Sequence, residues 1–212
     1  PNAVIFNDHG PDVRWCGNEA GSARNEEWAV VPHELCYRYT KPQTDGALLD
    51  GDLSFMINSE QTLGSLCNIL YSKGLVFAGS EIDMSIRPGW FYHQYQDKEV
   101  KMLEHLVDIY YKSVGRNSTL LLNFPIAPNG RIHPTDSLRG IAFAKMIQEV
   151  FKTDLAKKAK LTASNVRSGN KRFAAKKVTD GKDKTYWATD EGVTTATLTL
   201  DFPQPTTFNR FL

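Results

Sequence analysis

The densest chemistry in this sequence lies between Asn7 and Gly21, Asn-Asp-His-Gly-Pro-Asp-Val-Arg-Trp-Cys-Gly-Asn-Glu-Ala-Gly. Three carboxylates (Asp8, Asp12 and Glu19) stand there with His9, Arg14 and Trp15, punctuated by Gly10, Gly17 and Gly21. A carboxyl group in such a setting can exchange a proton with a reacting oxygen, and an indole can cover an apolar face of a ligand. A loop that only turned the chain would need the glycines and the proline, but neither Trp15 beside Arg14 nor Glu19 between two glycines. By composition alone, a catalytic loop and a well-capped structural loop are equal readings. A second concentration runs from Ser80 to His93, Ser-Glu-Ile-Asp-Met-Ser-Ile-Arg-Pro-Gly-Trp-Phe-Tyr-His. Pro88-Gly89 is a turn signal, followed by Trp90, Phe91, Tyr92 and His93. Flat rings on a turn suit the C–H face of a pyranose; an aromatic core cluster would use the same letters.

The elements that must position these groups read as follows. Ala3 to Asn7 has the pattern of a short buried strand, with the polar loop running on to about Trp28. Between Ala29 and Phe77 the pattern weakens, and only Leu63 to Leu70 has convincing helical spacing. So long a connection is either a lid or binding loop, or an insertion without a chemical role. Lys98 to Val114 is an amphipathic helix, with Val100, Leu103, Val107, Tyr110, Tyr111 and Val114 on its buried stripe. Lys101, Glu104, Asp108 and Lys112 face outward, and Gly115 follows as a C′ residue. Thr119 to Phe124 is an apolar run expected of a parallel strand covered on both faces. After a loop from Pro125 to Pro134, Thr135 or Asp136 caps a second helix that buries Leu138, Ile141, Ala142, Met146 and Val150. Alternating strands and helices predict an α/β fold, whose sites sit in loops at the carboxyl ends of the strands.

The texture changes after Asp154. Lys157-Lys158-Ala159-Lys160 reads as a solvated linker face, and Thr195 to Asp201 alternates with period 2. This predicts the start of an all-β domain, a sandwich. Asp180-Gly181 is either a turn or half of a calcium site, with the turn preferred.

With 25 basic against 24 acidic residues, the net charge of +1 argues against a nucleic-acid surface or a polybasic membrane patch. No apolar run approaches the ~20 residues of a membrane span. Cys16, Cys36 and Cys67 show no Cys-x-x-Cys spacing, so neither zinc nor a disulfide framework is indicated and free thiols are expected. A chain that starts at Pro1, directly in a strand pattern, and stops within another strand pattern is expected to be a segment of a longer protein.

Three long motifs carry a family resemblance. Pro1 to Phe6 with Asp8, Gly10-Pro11-Asp12-Val13-Arg14-Trp15 and Gly17-Asn18-Glu19 resembles the late-barrel segment of the α-L-fucosidases of glycoside hydrolase family 29. Glu81 to His93 resembles that family's next signature. Asp108 to Asn117 with Leu120-Leu121-Leu122-Asn123-Phe124-Pro125 resembles its closing helix and strand. The spelling is closest to the branch acting on α-1,3/4-linked fucose, although His9 replaces an expected small residue. Residues 161–212, with Asp180 to Thr189, resemble the first half of a discoidin-like, galactose-binding-like sandwich.

The resemblance implies the C-terminal part of a (β/α)8-like barrel over residues 1–153, a linker at 154–160, and the N-terminal part of a β-sandwich at 161–212. It implies a retaining glycosidase that removes terminal fucose from Lewis-type glycans with two carboxylates and neither cofactor nor metal. Glu19, in the Gly-Asn-Glu motif, is the expected acid/base, with Glu81 as runner-up. The structural alternative for Glu19 is a loop glutamate that pairs with Arg14 or Arg24. The nucleophilic aspartate has no matching motif here; it is expected upstream of Pro1, so these 212 residues alone are expected to be inactive. Trp90 is the expected ring beneath the sugar. His93, Trp15, Arg14 and Asp8 complete the binding candidates, although Arg14 and Asp8 fit loop orientation better than sugar contact. Asp83 reads as a structural partner for backbone or for Arg87. A secreted or periplasmic location is expected. The competing class is a non-catalytic carbohydrate-binding protein on a degenerate barrel.

Overall fold

The computed structural model describes Val4 and residues 12–16, 18–32 and 64–208. They fall into two compact units, Pro1–Ile147 and Gln148–Leu212.

In chain order the first unit contains β1 (Val13–Trp15), β2 (Val30–Pro32), helix α1 (Leu66–Leu70), β3 (Leu75–Phe77), β4 (Gly79–Ser85), α2 (Leu103–Ser113), β5 (Ser118–Asn123) and the start of α3 (Pro134–Val150). Strands β1, β4 and β5 form a parallel sheet in the order β1-β4-β5. The register pairs Trp15 with Glu81, and Asp83 with Leu121, ending at Ser85 with Asn123. A mixed α/β fold is therefore present. Because side chains alternate across a strand, Trp15, Glu81, Asp83, Ser85, Leu121 and Asn123 share one face. Ile82, Met84, Leu120 and Leu122 share the other. On that second face Met84, Leu120 and Leu122 pack with Ile86, Val100, Leu106, Ile109, Phe124 and Phe143, while Ile82 joins a separate cluster with Cys16 and Ala23. Ile82 and Ile86 are fully buried and Leu106 nearly so, each contributing about 1.5–3 kcal/mol of apolar burial.

Several elements differ from their sequence reading, each for a tertiary reason. β1 lies inside the stretch read as loop, because Arg14 in its centre is buried by pairing with Glu27. The expected strand at Ala3–Asn7 falls outside the described residues but for Val4. Helix α2 begins at Leu103 rather than Lys98. The preceding segment is held against the sheet instead: Val100 enters the core, and the Lys101 backbone N–H donates to the Ile86 carbonyl at 2.9 Å. Lys101, expected to face out, donates its Nζ to the carbonyls of Ser85 (2.6 Å) and Arg87 (3.0 Å). The buried residues of α2 are Leu106, Ile109 and Ser113, a stripe adjacent to the predicted one.

In α3, Leu138 and Ile141 are exposed, whereas Asp136, read as a possible cap, is fully buried. Within the described residues Leu121 is half exposed, so β5 is covered on one face rather than two. The pattern-poor connection contains the antiparallel pair β2–β3 and helix α1, whose Ser65 cap accepts from Asn68 N–H.

In the second unit β6 (Lys160–Ala163) runs antiparallel to β7 (Leu198–Asp201). Residues 154–160 hold a short 3-10 turn at Leu155–Lys158, capped by Asp154, and the first residue of β6. Three more 3-10 turns, Arg167–Gly169, Lys171–Phe173 and Ala175–Val178, follow β6. Asp180 makes a turn: its Oδ1 accepts from Lys182 N–H at 3.1 Å and from the Thr185 hydroxyl at 2.7 Å.

Candidate active site

Glu19 stands exposed on the loop that leaves β1. Asn18 shapes that loop on both sides of it. The Asn18 Oδ1 accepts from Ala20 N–H at 2.9 Å, and its Nδ2 donates to the Ser22 carbonyl at 3.2 Å. Gly21 then takes φ +68°, a left-handed conformation, where a Cβ would press on Met84. Further on, Ala23 N–H donates to the carbonyl of Lys112, and Arg116 Nη1 donates to the carbonyl of Ala23 at 2.6 Å. The loop is thus tied to the end of α2. The alternative partners considered for Glu19, Arg14 and Arg24, both pair with the buried Glu27.

The partner Glu19 does have is Trp90, whose indole Nε1 donates to Glu19 Oε2 at 2.9 Å across 71 residues. The turn that presents Trp90 is held by a buried ionic cluster. The fully buried Arg87 donates to both oxygens of Asp136, at 2.7 and 2.9 Å, and to Asp97 at 2.9 Å. It also donates to the carbonyl of His93, and its guanidinium lies 4.7 Å from the centre of the Tyr92 ring. These charge-assisted bonds, with Asp136 bidentate, hold the guanidinium even further above its usual range. Asp83 is therefore not the partner of Arg87. Its Oδ1 accepts from Trp15 Nε1 at 3.2 Å.

Glu81 lies below Asp83 on the same strand face. It is 3% exposed, and neither of its oxygens has a hydrogen-bond partner among the described residues. Burial, and to a lesser degree the charge of Asp83, push its carboxyl up to about 7. Burial also raises Asp83, against the lowering hydrogen bond from Trp15, and the charge of Glu19 adds to the rise. Cys16, pushed up to about 11 chiefly by burial, is an inert thiol at the edge of this group.

The candidates are thus partly assembled. Glu19, Trp90, Trp15 and Asp83 meet on one side of the sheet, with Glu81 beneath. Arg14 is turned away: it is buried against Glu27 and the carbonyls of Ala78 and Trp28. The exposed ring of His93 stacks on Tyr95 at 5.3 Å between centroids rather than joining Glu19. Asp8 lies outside the described residues. A cleft of ≈400 Å³ opens elsewhere, lined by Arg24, Glu26, Cys67 and Arg116 among others. Among the described residues no group of three potential ligands is arranged for a metal ion, and no helix is long and apolar enough to cross a membrane. Asn123 and Ser85, not singled out in the sequence, prove to underpin the Trp90 turn. The period-2 alternation of Glu81, Asp83 and Ser85 was the available signal for their shared face.

No family model matches the chain. It is 35% identical over 211 residues to Alpha-L-fucosidase 1 of Arabidopsis thaliana, covering 99% of this chain and 37% of that protein. Among solved structures, a Bacteroides thetaiotaomicron protein assigned as an α-L-fucosidase superposes with a TM-score of 0.76 at 36% identity, covering 96% of this chain and 40% of that one. A Ruminococcus gnavus GH29 fucosidase in complex with fucose gives 0.68 at 30% identity, covering 89% and 34%. The chain therefore spans little more than a third of the curated relatives it matches, and its homologues and structural neighbours are α-L-fucosidases of glycoside hydrolase family 29.

Proposed function

We propose that this chain is part of a family 29 α-L-fucosidase, a retaining exo-enzyme that releases terminal α-L-fucose, α-1,3/4-linked in Lewis-type branches. The observation that carries the reading is the meeting of Glu19 with Trp90, a carboxyl and an indole from two distant motifs, on the polar face of a parallel sheet. Glu19 is preferred over Glu81 because it is exposed on a loop, whereas Glu81 is enclosed on a strand. The relatives' names and the neighbour that holds fucose support the substrate class.

In this mechanism a second carboxylate, expected outside these 212 residues, attacks the anomeric carbon. Glu19 gives its proton to the departing glycosidic oxygen. It then takes a proton from the water that releases fucose, so the configuration is retained. The three parallel strands are read as a part of a (β/α)8 barrel, and the second unit as the start of a discoidin-like sandwich. A secreted or periplasmic setting suits a glycan substrate.

The test is fucose release from a Lewis-type trisaccharide by the protein carrying this sequence, wild type against Glu19→Gln. Loss of activity on the trisaccharide is expected, with azide accelerating turnover of a dinitrophenyl fucoside, whose leaving group needs no proton, to a fucosyl azide of retained configuration. Full activity in Glu19→Gln would move the acid/base role to Glu81. Binding of the trisaccharide without any hydrolysis by the wild type would favour the non-catalytic carbohydrate-binding protein.

A further inference from the structure

Trp90 lies in the middle of a hydrogen-bond path that starts in the sheet and ends on Glu19. Its carbonyl accepts from Asn123 Nδ2 at 3.0 Å, while its indole Nε1 donates to Glu19 Oε2 at 2.9 Å. The same Asn123 nitrogen donates to Ser85 Oγ at 3.1 Å, and the Ser85 hydroxyl donates to the Gly89 carbonyl at 2.7 Å. An amide nitrogen carries two protons, so both Asn123 bonds form together. Ser85 and Asn123 are themselves the last register pair of β4 and β5. Two strand ends therefore hold two successive carbonyls of the turn, and the turn holds the indole.

We infer that Trp90 and, through it, Asn123 are positioning residues for Glu19, and that Trp90 selects Oε1 of Glu19 as the oxygen that exchanges the catalytic proton. The inference rests on the proposed acid/base role of Glu19. An indole N–H only donates, so the oxygen facing it must accept in both protonation states. The proton then resides on Oε1. In the first step the Oε1–H bond breaks and the proton passes to the glycosidic oxygen, which keeps the electron pair of the broken C–O bond. In the second step Oε1 takes a proton from water as its oxygen bonds to the anomeric carbon and the nucleophilic carboxylate departs. An exposed loop glutamate would otherwise sample many rotamers, and proton transfer is sensitive to displacements of about 1 Å. The sheet supplies the rigidity that the loop lacks.

The experiment measures kcat/KM in the protein carrying this sequence against α-L-fucosides with leaving groups of graded acidity. Aryl oxides of low basicity leave without a proton, whereas a sugar hydroxyl needs one. Trp90→Phe keeps the ring and deletes the N–H. Asn123→Ala removes the amide, and Asn123→Asp keeps its shape while placing an acceptor against the Trp90 carbonyl. Each variant is expected to lose ~10–100-fold more on an oligosaccharide than on the dinitrophenyl fucoside, part of a general acid's usual contribution; any loss of ring contact with the sugar appears equally on both substrates. The double variant Trp90→Phe/Asn123→Ala should lose no more than the worse single one, because both act through one indole. Equal losses across all leaving groups would make Trp90 a platform ring only and overturn the inference. Additive losses would remove Asn123 from the path. If Asn123→Ala does not fold, Asn123→Asp decides. Absence of leaving-group dependence in Glu19→Gln would instead sink the acid/base reading, and this inference with it.

Discussion

Arg87 and Asp136, separated by 49 residues, form a bidentate ion pair in which neither side chain is exposed. One comes from the turn after β4 and the other from the first turn of α3. The pair thus fastens the segment that carries Trp90 to a helix that supplies no reactive group. Asp97 shares the same guanidinium at 2.9 Å.

Asp136→Asn should therefore destabilise the protein strongly. The guanidinium would stay buried with half its charge compensation gone, and breaking a buried pair costs about 3–5 kcal/mol. The retained Asp97 contact argues for the lower end of that range. Arg87→Lys should cost a similar amount, since an ammonium cannot reproduce the forked geometry. Urea denaturation of both variants checks this; a change within 0–1 kcal/mol, typical of surface pairs, would contradict it.

Glu81 predicts a pH dependence of stability with a definite sign. Its carboxyl is raised to about 7 in the folded state, from 4.5 in its ordinary state. Below the lower value both states hold the proton and the fold carries no penalty. As pH rises through that window the unfolded chain ionises first, so stability falls by about 3 kcal/mol in total, reaching its floor above the folded value. Asp83, also raised, acts in the same direction. Glu81→Gln should flatten this slope and be more stable than wild type at pH 8 relative to pH 4.5. Parallel wild-type and variant stability curves over that range would refute the assignment.

Gly64 is a position where space is decisive. A Cβ there would run into the Arg14–Glu27 ion pair and the Trp28 carbonyl, while the Gly64 carbonyl accepts from Trp28 N–H at 3.1 Å. Gly64→Ala should cost about 1–3 kcal/mol through overpacking. Its effect should shrink when Glu27→Ala is made first, because the two sites share the same crowded volume. Stability of the single and double variants measures this.

Asp190 in the second unit should respond to pH in the opposite sense to Glu81. Its carboxylate accepts from Ser168 N–H at 2.6 Å and from Asn165 Nδ2 at 3.0 Å, and these bonds lower its pKa. The stability it contributes is present above the ordinary aspartate value and is lost as pH falls through the lower folded value. Protection of the Ser168 amide, measured relative to its intrinsic exchange rate at each pH, should therefore fall on acidification, and Asp190→Asn should abolish that fall. An acid response unchanged in the variant would assign it to another group.

The local spelling of this sequence determined its chemical inventory. Gly-Asn-Glu at residue 19, the Pro-Gly turn before Trp90, and the apolar run before Asn123 are all short-range patterns, set by backbone preference and side-chain type. The parallel strand at Ser118–Asn123 and the Asp180 turn were legible for the same reason. What tertiary structure alone decided is which residues face one another. A charged Arg14 reads as loop until Glu27 is seen to pair with it, and only then does Val13–Trp15 emerge as a strand. Lys101 looks solvent-facing by helical period, yet two carbonyls from another element hold its ammonium. Glu81 and Asp83 differ by two positions in sequence, but burial separates an enclosed acid from one held by Trp15. The 71-residue span between Glu19 and Trp90 has no periodicity to announce it. Register between parallel strands brings those distant loops together, and register is a property of the packed sheet rather than of either stretch alone.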